Sequence, residues 1–353
     1  MEAAQPQMAR LKLALDWTPN TNHTGFYVAL SQGWYEAAGI DLAILPPSDA
    51  YTHDETPGRR LVRGEVDLAI APTETCISCW TSDHADYAKP ITVAAVLNKS
   101  ASAICTLKSS GIKSPCELDG KRYASYDGRF EMAIIRQLIK NAGGKGEITA
   151  VVPEKLNCFE AVLSSDCQAT WIFEAWEGID AKMKGIELNS FVLEDYDVPY
   201  GYSPCLLASA DLCSNNSGLL KKFLTISERG WLFSVTNPDE SVEMLLKMSN
   251  HPSLHAASRE FLVESQKFIS SKCLSVDGRW GRMESSLWDR FIDFLFDNDC
   301  IVSRDGRLIK RYLFLLLHHI YFLMSASNYY LIKSRGDVAV DLKQMYSNQF
   351  FEE

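Results

Sequence analysis

Leu11, Leu13 and Leu15 recur at every second position, the period of a strand with one buried face. The pattern breaks at Asp16-Trp17-Thr18-Pro19-Asn20 into a polar, aromatic loop. An amphipathic segment follows from Gly25 to Ala38, closed by Gly39, and then a second apolar run, Ile40 to Leu45. Strand, loop, helix and strand make a βαβ crossover, which predicts a parallel pair. In open α/β sheets ligands dock beyond the C-terminal strand ends, so Trp17, Asn20, Asn22, His23 and Tyr27 are candidate binding residues. A Trp in this place also serves packing, and a lone His also serves a helix N-terminus. The gathering of an indole, two amides, an imidazole and a phenol in one loop and helix start favours a site.

The same pattern recurs downstream. Arg59 to Ala71 reads as a helix end, a Gly turn and a buried strand, stopping at Pro72-Thr73-Glu74-Thr75, where Thr73 or Thr75 can cap the helix that follows. Ile91 to Val96 is a further strand, and Ser100 to Leu107 carries the chain toward a second lobe. Arg122 to Ser125 is a strand whose loop, Tyr126 to Glu131, opens directly into a helix from Met132 to Asn141. Free backbone N–H groups at such a helix start, with Arg129 beside them, predict an anion site; an ordinary turn with an exposed Arg is the plainer alternative. Gly144 to Val152 gives a strand, Cys158 to Ser164 a helix, and Thr170 to Phe173 a strand ending at Glu174 and Trp176. Trp171 reads as core. Asp197 to Cys205 returns the chain to the first lobe, with Tyr200 and Tyr202 as hinge and cleft candidates, and helices over 217–234, 242–248, 258–269 and 287–296 read as scaffold.

Composition narrows the function classes. The 353 residues suffice for two lobes, and 46% hydrophobic content is ordinary for a globular protein. A net charge of −10 without a long basic run disfavours a nucleic-acid partner. The N-terminus lacks a basic n-region followed by an apolar stretch, which predicts a cytoplasmic protein. Ten scattered Cys agree with reduced thiols. The lone C-x-x-C at Cys76 to Cys79 has no second Cys or His pair, so no metal site is expected.

The run L-D-W-T-P-N-T-N-H-T-G-F-Y-V-A, followed by G-W-Y-E-A-A-G-I-D-L, resembles the opening signature of the thiamine-pyrimidine family, which comprises formylaminopyrimidine-binding proteins and hydroxymethylpyrimidine phosphate synthases. The similarity recurs over most of residues 10–305. It implies the two-lobed periplasmic-binding-protein type II fold, with a ligand cleft between α/β lobes. In the family's P-[ST]-E segment the hydroxyl and carboxylate face the pyrimidine, which implies a contact from Glu74, with a capping role as the alternative. A W-x-F-E-x-W-E run similar to residues 171–177 holds the ligand ring by stacking, which implies a sandwich between Trp17 and Trp176, with Glu174 beside it. Gly128, Arg129, Phe130 and Glu131 align with a G-E-F-G loop that holds a cofactor phosphate in the synthase, one Gly short.

Three departures bear on chemistry. The synthase's Schiff-base Lys and donor His align with Ala71 and Thr75, and of its Cys-rich iron motif only Cys205 is present. Pyridoxal phosphate therefore lacks its Lys and a thiolate-held iron is not supported. The third departure is residues 311–334, which have no counterpart in the family and carry an apolar run from Tyr312 to Met324 interrupted by His318 and His319. That run is shorter than the ~20 residues of a span, so no membrane partner is expected, and a retained intron explains it better than an anchor. A transcript sequenced across Lys310 and Arg335 decides between them.

These readings place the first lobe at 8–100 and 206–310, the second at 101–205, and a C-terminal tail at 335–353. The expected function is a cytosolic pathway protein of the synthase family that binds an aminopyrimidine or a pyridoxal-type phosphate for thiamine biosynthesis. A noncatalytic formylaminopyrimidine-binding protein is the alternative, a sulfonate-type anion binder a weaker one; enzyme status and a homodimer stay open.

Overall fold

The computed structural model describes residues 8–47, 56–82, 88–302, 308 and 344–351. The segment 311–334 lies outside them. Among the described residues ten strands form two five-stranded sheets. The first contains β1 (Ala9–Ala14), β2 (Ile40–Leu45), β3 (Leu68–Ala71) and β4 (Ile91–Ala95). The second takes β5 (Ser102–Leu107), β6 (Arg122–Ala124), β7 (Thr149–Val151), β8 (Ala169–Phe173) and β9 (Leu188–Phe191), after which β10 (Cys205–Ala208) returns to the first. Strand orders are β2-β1-β3-β10-β4 and β7-β6-β8-β5-β9.

β1 pairs with β2 in parallel from Ala9 opposite Ile40 to Ala14 opposite Leu45, as the βαβ reading requires. The crossover is two helices, Thr24–Ser31 and Trp34–Ala37, where one was expected. Gly33 takes φ 69°, a left-handed conformation open to glycine, and the chain turns there. Each sheet has one reversed member: β10 runs antiparallel to β3 and β4, and β5 antiparallel to β8 and β9. These are the strands on which the chain changes sheets, so each sheet is closed by a segment arriving from the other.

Burial follows from composition. β3 and β10, central in the first sheet, are buried at every position, the continuous apolar run of a strand covered on both faces. Helix Ser217–Thr236 packs on helix Thr24–Ser31 through two glycines. A Cβ on Gly230 would lie 2.1 Å from the carbonyl oxygen of Gly25, and one on Gly25 would lie 2.4 Å from the ring of Trp231. Trp231 stacks on Trp280 at 5.9 Å between centroids, with Phe26 edge-on to both. Helix Ser285–Asp297 carries Trp288, Phe291, Ile292 and Leu295 into a core that includes residues of both sheets. The C-terminal residues also dock: Thr92 N donates to Met345 O at 2.8 Å and Ser347 N to Thr92 O at 2.9 Å, beside β4.

Among the described residues no helix is long and apolar enough to cross a membrane. β9 was not anticipated, because Leu188-Asn-Ser-Phe191 is too short to show a period. Gly144 to Val152 yields only three strand residues.

Candidate functional site

A cleft of about 600 Å³ lies between elements of the two sheets. On one side stand Trp17, in the loop after β1, and Ser253, Ala257, Ser258 and Phe261; on the other are Tyr126, in the loop after β6, Phe159, Trp176, Glu177 and Asp180. The loops after β1, β6 and β8 all leave C-terminal strand ends, where ligands of open α/β sheets dock. The two indoles expected to face a ligand thus share one cleft. Trp17 is 38% exposed, and Trp176 is half-buried, held edge-on by Phe261 at 4.7 Å.

Other expected contacts are spent inside the scaffold. Asn20 accepts from Asn22 N at 2.8 Å and donates to Thr18 O at 2.9 Å, while its own N–H donates to His23 Nδ1. His23 Nε2 meets Asp16 Oδ1 at 2.7 Å with its side chain wholly buried. This reciprocal cap shapes the loop that presents Trp17. Asn22 is buried, and Tyr27 is buried with a bond to Ser249, its phenol pushed up to about 12 by desolvation. Asn20 and His23 therefore hold the loop, the Asn22 Oδ1 is buried without a hydrogen-bond partner, and none of Asn20, Asn22, His23 and Tyr27 lines this cleft. Thr73 and Thr75 do not cap their helix; Thr73 donates to the Tyr202 carbonyl and Pro72 occupies the cap.

Glu74, Glu174, Tyr200 and Tyr202 are likewise outside this cleft's lining. Tyr200 Oη donates to Glu74 Oε1 at 2.8 Å, while Glu74 Oε2 is buried without a hydrogen-bond partner. Desolvation pushes the Glu74 carboxyl up to about 7, with Tyr200 partly opposing it. Tyr202 Oη accepts from Glu284 N at 2.7 Å, which pins the returning segment to the C-terminal helices. Glu174 N donates to Ala101 O, and burial raises its carboxyl above the usual range.

The phosphate cradle expected at Gly128 to Glu131 is corrected by the structure. Glu131 Oε1 accepts from Tyr123 Oη at 2.9 Å and Tyr126 N at 3.2 Å. Its Oε2 accepts from Ser125 Oγ at 2.8 Å and Gly128 N at 3.1 Å. The amides of Tyr126 and Gly128 are thus taken by the chain's own carboxylate, and the Glu131 amide by the Gly128 carbonyl. Arg129 turns away, donating to Ser78 O, Thr81 O and Val302 O and so closing the C-terminal end of helix Thr73–Trp80. Phe130 is 1% exposed, a core residue. At the positions aligned with the synthase's Lys and His stand Ala71, buried at the end of β3, and Thr75, whose methyl faces Gly58. These residues do not fit pyridoxal phosphate. Cys205 is buried and donates to Tyr202 O at 3.2 Å.

Sequence reasoning missed Glu177 as a cleft residue and the helix over 252–256, and it read the helix expected at 258–269, found at Arg259–Ser270, as scaffold alone. Glu177 accepts from Phe173 N at 3.0 Å, and burial pushes its carboxyl up to about 7. Its position in the run Trp-Glu after a strand end was a usable signal. Phe261 and Ser258 reach the cleft only because the Arg259–Ser270 helix packs against the Glu174–Gly178 turn.

The family profile described as NMT1/THI5 like matches residues 20–241. The chain is 24% identical over 293 residues to the formylaminopyrimidine-binding protein of Halalkalibacterium halodurans, covering 82% of this chain and 85% of that one. It is 26% identical over 307 residues to 4-amino-5-hydroxymethyl-2-methylpyrimidine phosphate synthase of Legionella pneumophila, covering 84% and 92%. Its fold is similar to that of the alkanesulfonate-binding protein SsuA of Xanthomonas axonopodis pv. citri, solved with MOPS bound, with a TM-score of 0.62 at 13% identity over 87% of this chain and 98% of that one. With the two-sheet architecture, the cleft and these similarities together, the chain belongs to the NMT1/THI5-like family and has its two-lobed binding-protein fold.

Proposed function

We propose that this chain captures a flat aminopyrimidine in the cleft between Trp17 and Trp176 and serves the supply of the thiamine pyrimidine in the cytosol. The observation that carries the reading is that the two indoles, from loops of different sheets, line one cavity of about 600 Å³. That volume lies within the range of small-molecule pockets, and a heterocycle stacked on each ring gains roughly 1 kcal/mol per stack beyond its buried area. Glu177 supplies the polar recognition. A carboxyl that titrates near 7 can accept from an exocyclic amine and, when protonated, donate to the neighbouring ring nitrogen. Ten free Cys accord with a reducing compartment.

Capture without synthesis is the favoured form, because Ala71 and Thr75 offer neither an amine for an imine nor a ring nitrogen to donate. Calorimetry with formylaminopyrimidine and with 4-amino-5-hydroxymethyl-2-methylpyrimidine tests the reading; saturable micromolar binding is expected, and heat of dilution alone from both overturns it. Growth of a pyrimidine-requiring strain on this gene alone would establish a synthase instead.

A further inference from the structure

Glu131 sits where a bound anion would sit. It is the first residue of helix Glu131–Asn141 and is only 7% exposed. Its two oxygens accept two hydrogen bonds each, from the hydroxyls of Tyr123 and Ser125 and the amides of Tyr126 and Gly128. All four partners are donors. An ionised carboxylate has about four lone-pair positions, so the set satisfies the charged form fully and leaves no acceptor to be answered. The helix start adds its own preference for negative charge.

The loop borders the proposed ligand site, since Tyr126, whose amide donates to Glu131, also lines the cleft. Glu160, Glu177 and Asp180 line the same wall, and Lys184 there is paired with Asp180 at 2.8 Å. Arg129, the cation nearest in sequence, is engaged with carbonyls of the other sheet's elements. A phosphate entering this corner would meet the Tyr126 and Gly128 amides already engaged and a carboxylate held between them.

We propose that Glu131 is a specificity determinant that excludes phosphorylated ligands, so that the cleft takes the free alcohol or amine of an aminopyrimidine and rejects its phosphate ester. The carboxylate works as a built-in substitute for the phosphate group, holding the loop in its anion-bound shape. The proposal rests on the aminopyrimidine reading for the identity of the ring, but its charge discrimination stands independently.

The test compares the full chain with Glu131→Gln and Glu131→Ser, using three probes: 4-amino-5-hydroxymethyl-2-methylpyrimidine, its phosphate ester and inorganic phosphate. The wild-type protein is expected to prefer the alcohol over the ester by at least about 100-fold, and the two variants to narrow that gap about tenfold or more. Phosphate is expected to bind a variant but not the wild type, read by calorimetry and by phosphorus resonance broadening. Equal wild-type affinity for alcohol and ester overturns the role of Glu131 and leaves the ring reading intact. Binding of neither pyrimidine overturns the ring reading, and the phosphate arm then decides: phosphate bound by the wild type, or gained by neither variant, sinks the proposal. Glu131→Ser, whose small hydroxyl can still accept from one of the freed donors, is the variant to rely on if Glu131→Gln does not fold.

Discussion

The hydroxyl of Ser265 donates to the carbonyl of Ala175 at 2.5 Å. The same oxygen meets Thr21 Oγ1 at 2.6 Å, and Ser265 is fully buried. One side chain on the Arg259–Ser270 helix therefore ties the loop that carries Trp17 to the turn that carries Trp176. Ser265→Ala leaves a buried carbonyl and a buried hydroxyl without this partner, at a cost of about 1–2 kcal/mol. The spacing of the indoles loosens with it. Urea unfolding should show the loss of stability and calorimetry a weaker aminopyrimidine complex; an unchanged affinity would mean that the tie does not set the cleft.

Trp17 and Trp176 bear the ring-stacking argument directly. Trp17→Ala and Trp176→Ala are each expected to weaken aminopyrimidine binding about tenfold or more, while the exposed Trp17 leaves the melting temperature nearly unchanged. Trp176→Ala also removes the edge contact with Phe261 and lowers stability by about 1 kcal/mol. Full affinity in both variants would place the ligand elsewhere.

The Glu74 carboxyl, pushed by burial from 4.5 up to about 7, makes stability depend on pH. Between those values the folded protein holds a proton that the unfolded chain has lost. Stability is therefore greatest below pH 4.5 as far as this group is concerned, falls through the window at up to about 1.4 kcal/mol per pH unit, and levels off above 7. Glu177 acts in the same direction. Urea midpoints at pH 5 and pH 8 should differ less in Glu74→Gln than in the wild type, and equal differences would show that Glu74 does not titrate in this way.

Gly230 marks the closest approach of two helices. Its added methyl would lie 2.1 Å from the Gly25 carbonyl oxygen and 3.1 Å from the Ala29 methyl. Backbone cannot give way as a flexible side chain can, so Gly230→Ala is expected to cost about 2–3 kcal/mol. Gly218, at the start of the same helix, has open space around its Cα, and Gly218→Ala should be neutral or mildly stabilising. Equal melting temperatures for the two variants would contradict the packing.

Much of the architecture was legible because it is written in local periods. Leu11, Leu13 and Leu15 mark β1, the apolar run at 68–71 marks a buried strand, and Gly39 and Gly64 mark turns, where both take a positive φ. The two Trp residues were legible for the same reason, since each follows a strand end. The ownership of polar groups was not. Asn20, His23, Glu74 and Glu131 carry the chemistry of a binding site, yet the structure pairs them with Asp16, Tyr200, Tyr123 and the chain's own amides.

What the amino-acid sequence determined by itself, then, is the order of strands and helices, the breaks between them and the places where aromatic side chains leave a strand end. Only the tertiary structure decided that Phe261 and Ser258 wall the cleft, that Arg129 closes a distant helix, and that a glutamate fills the anion position at the start of its own helix. Hydrophobic periodicity is a property of neighbours along the chain. The satisfaction of a hydrogen-bonding group depends on whatever folding brings within 3 Å of it, often from a hundred residues away.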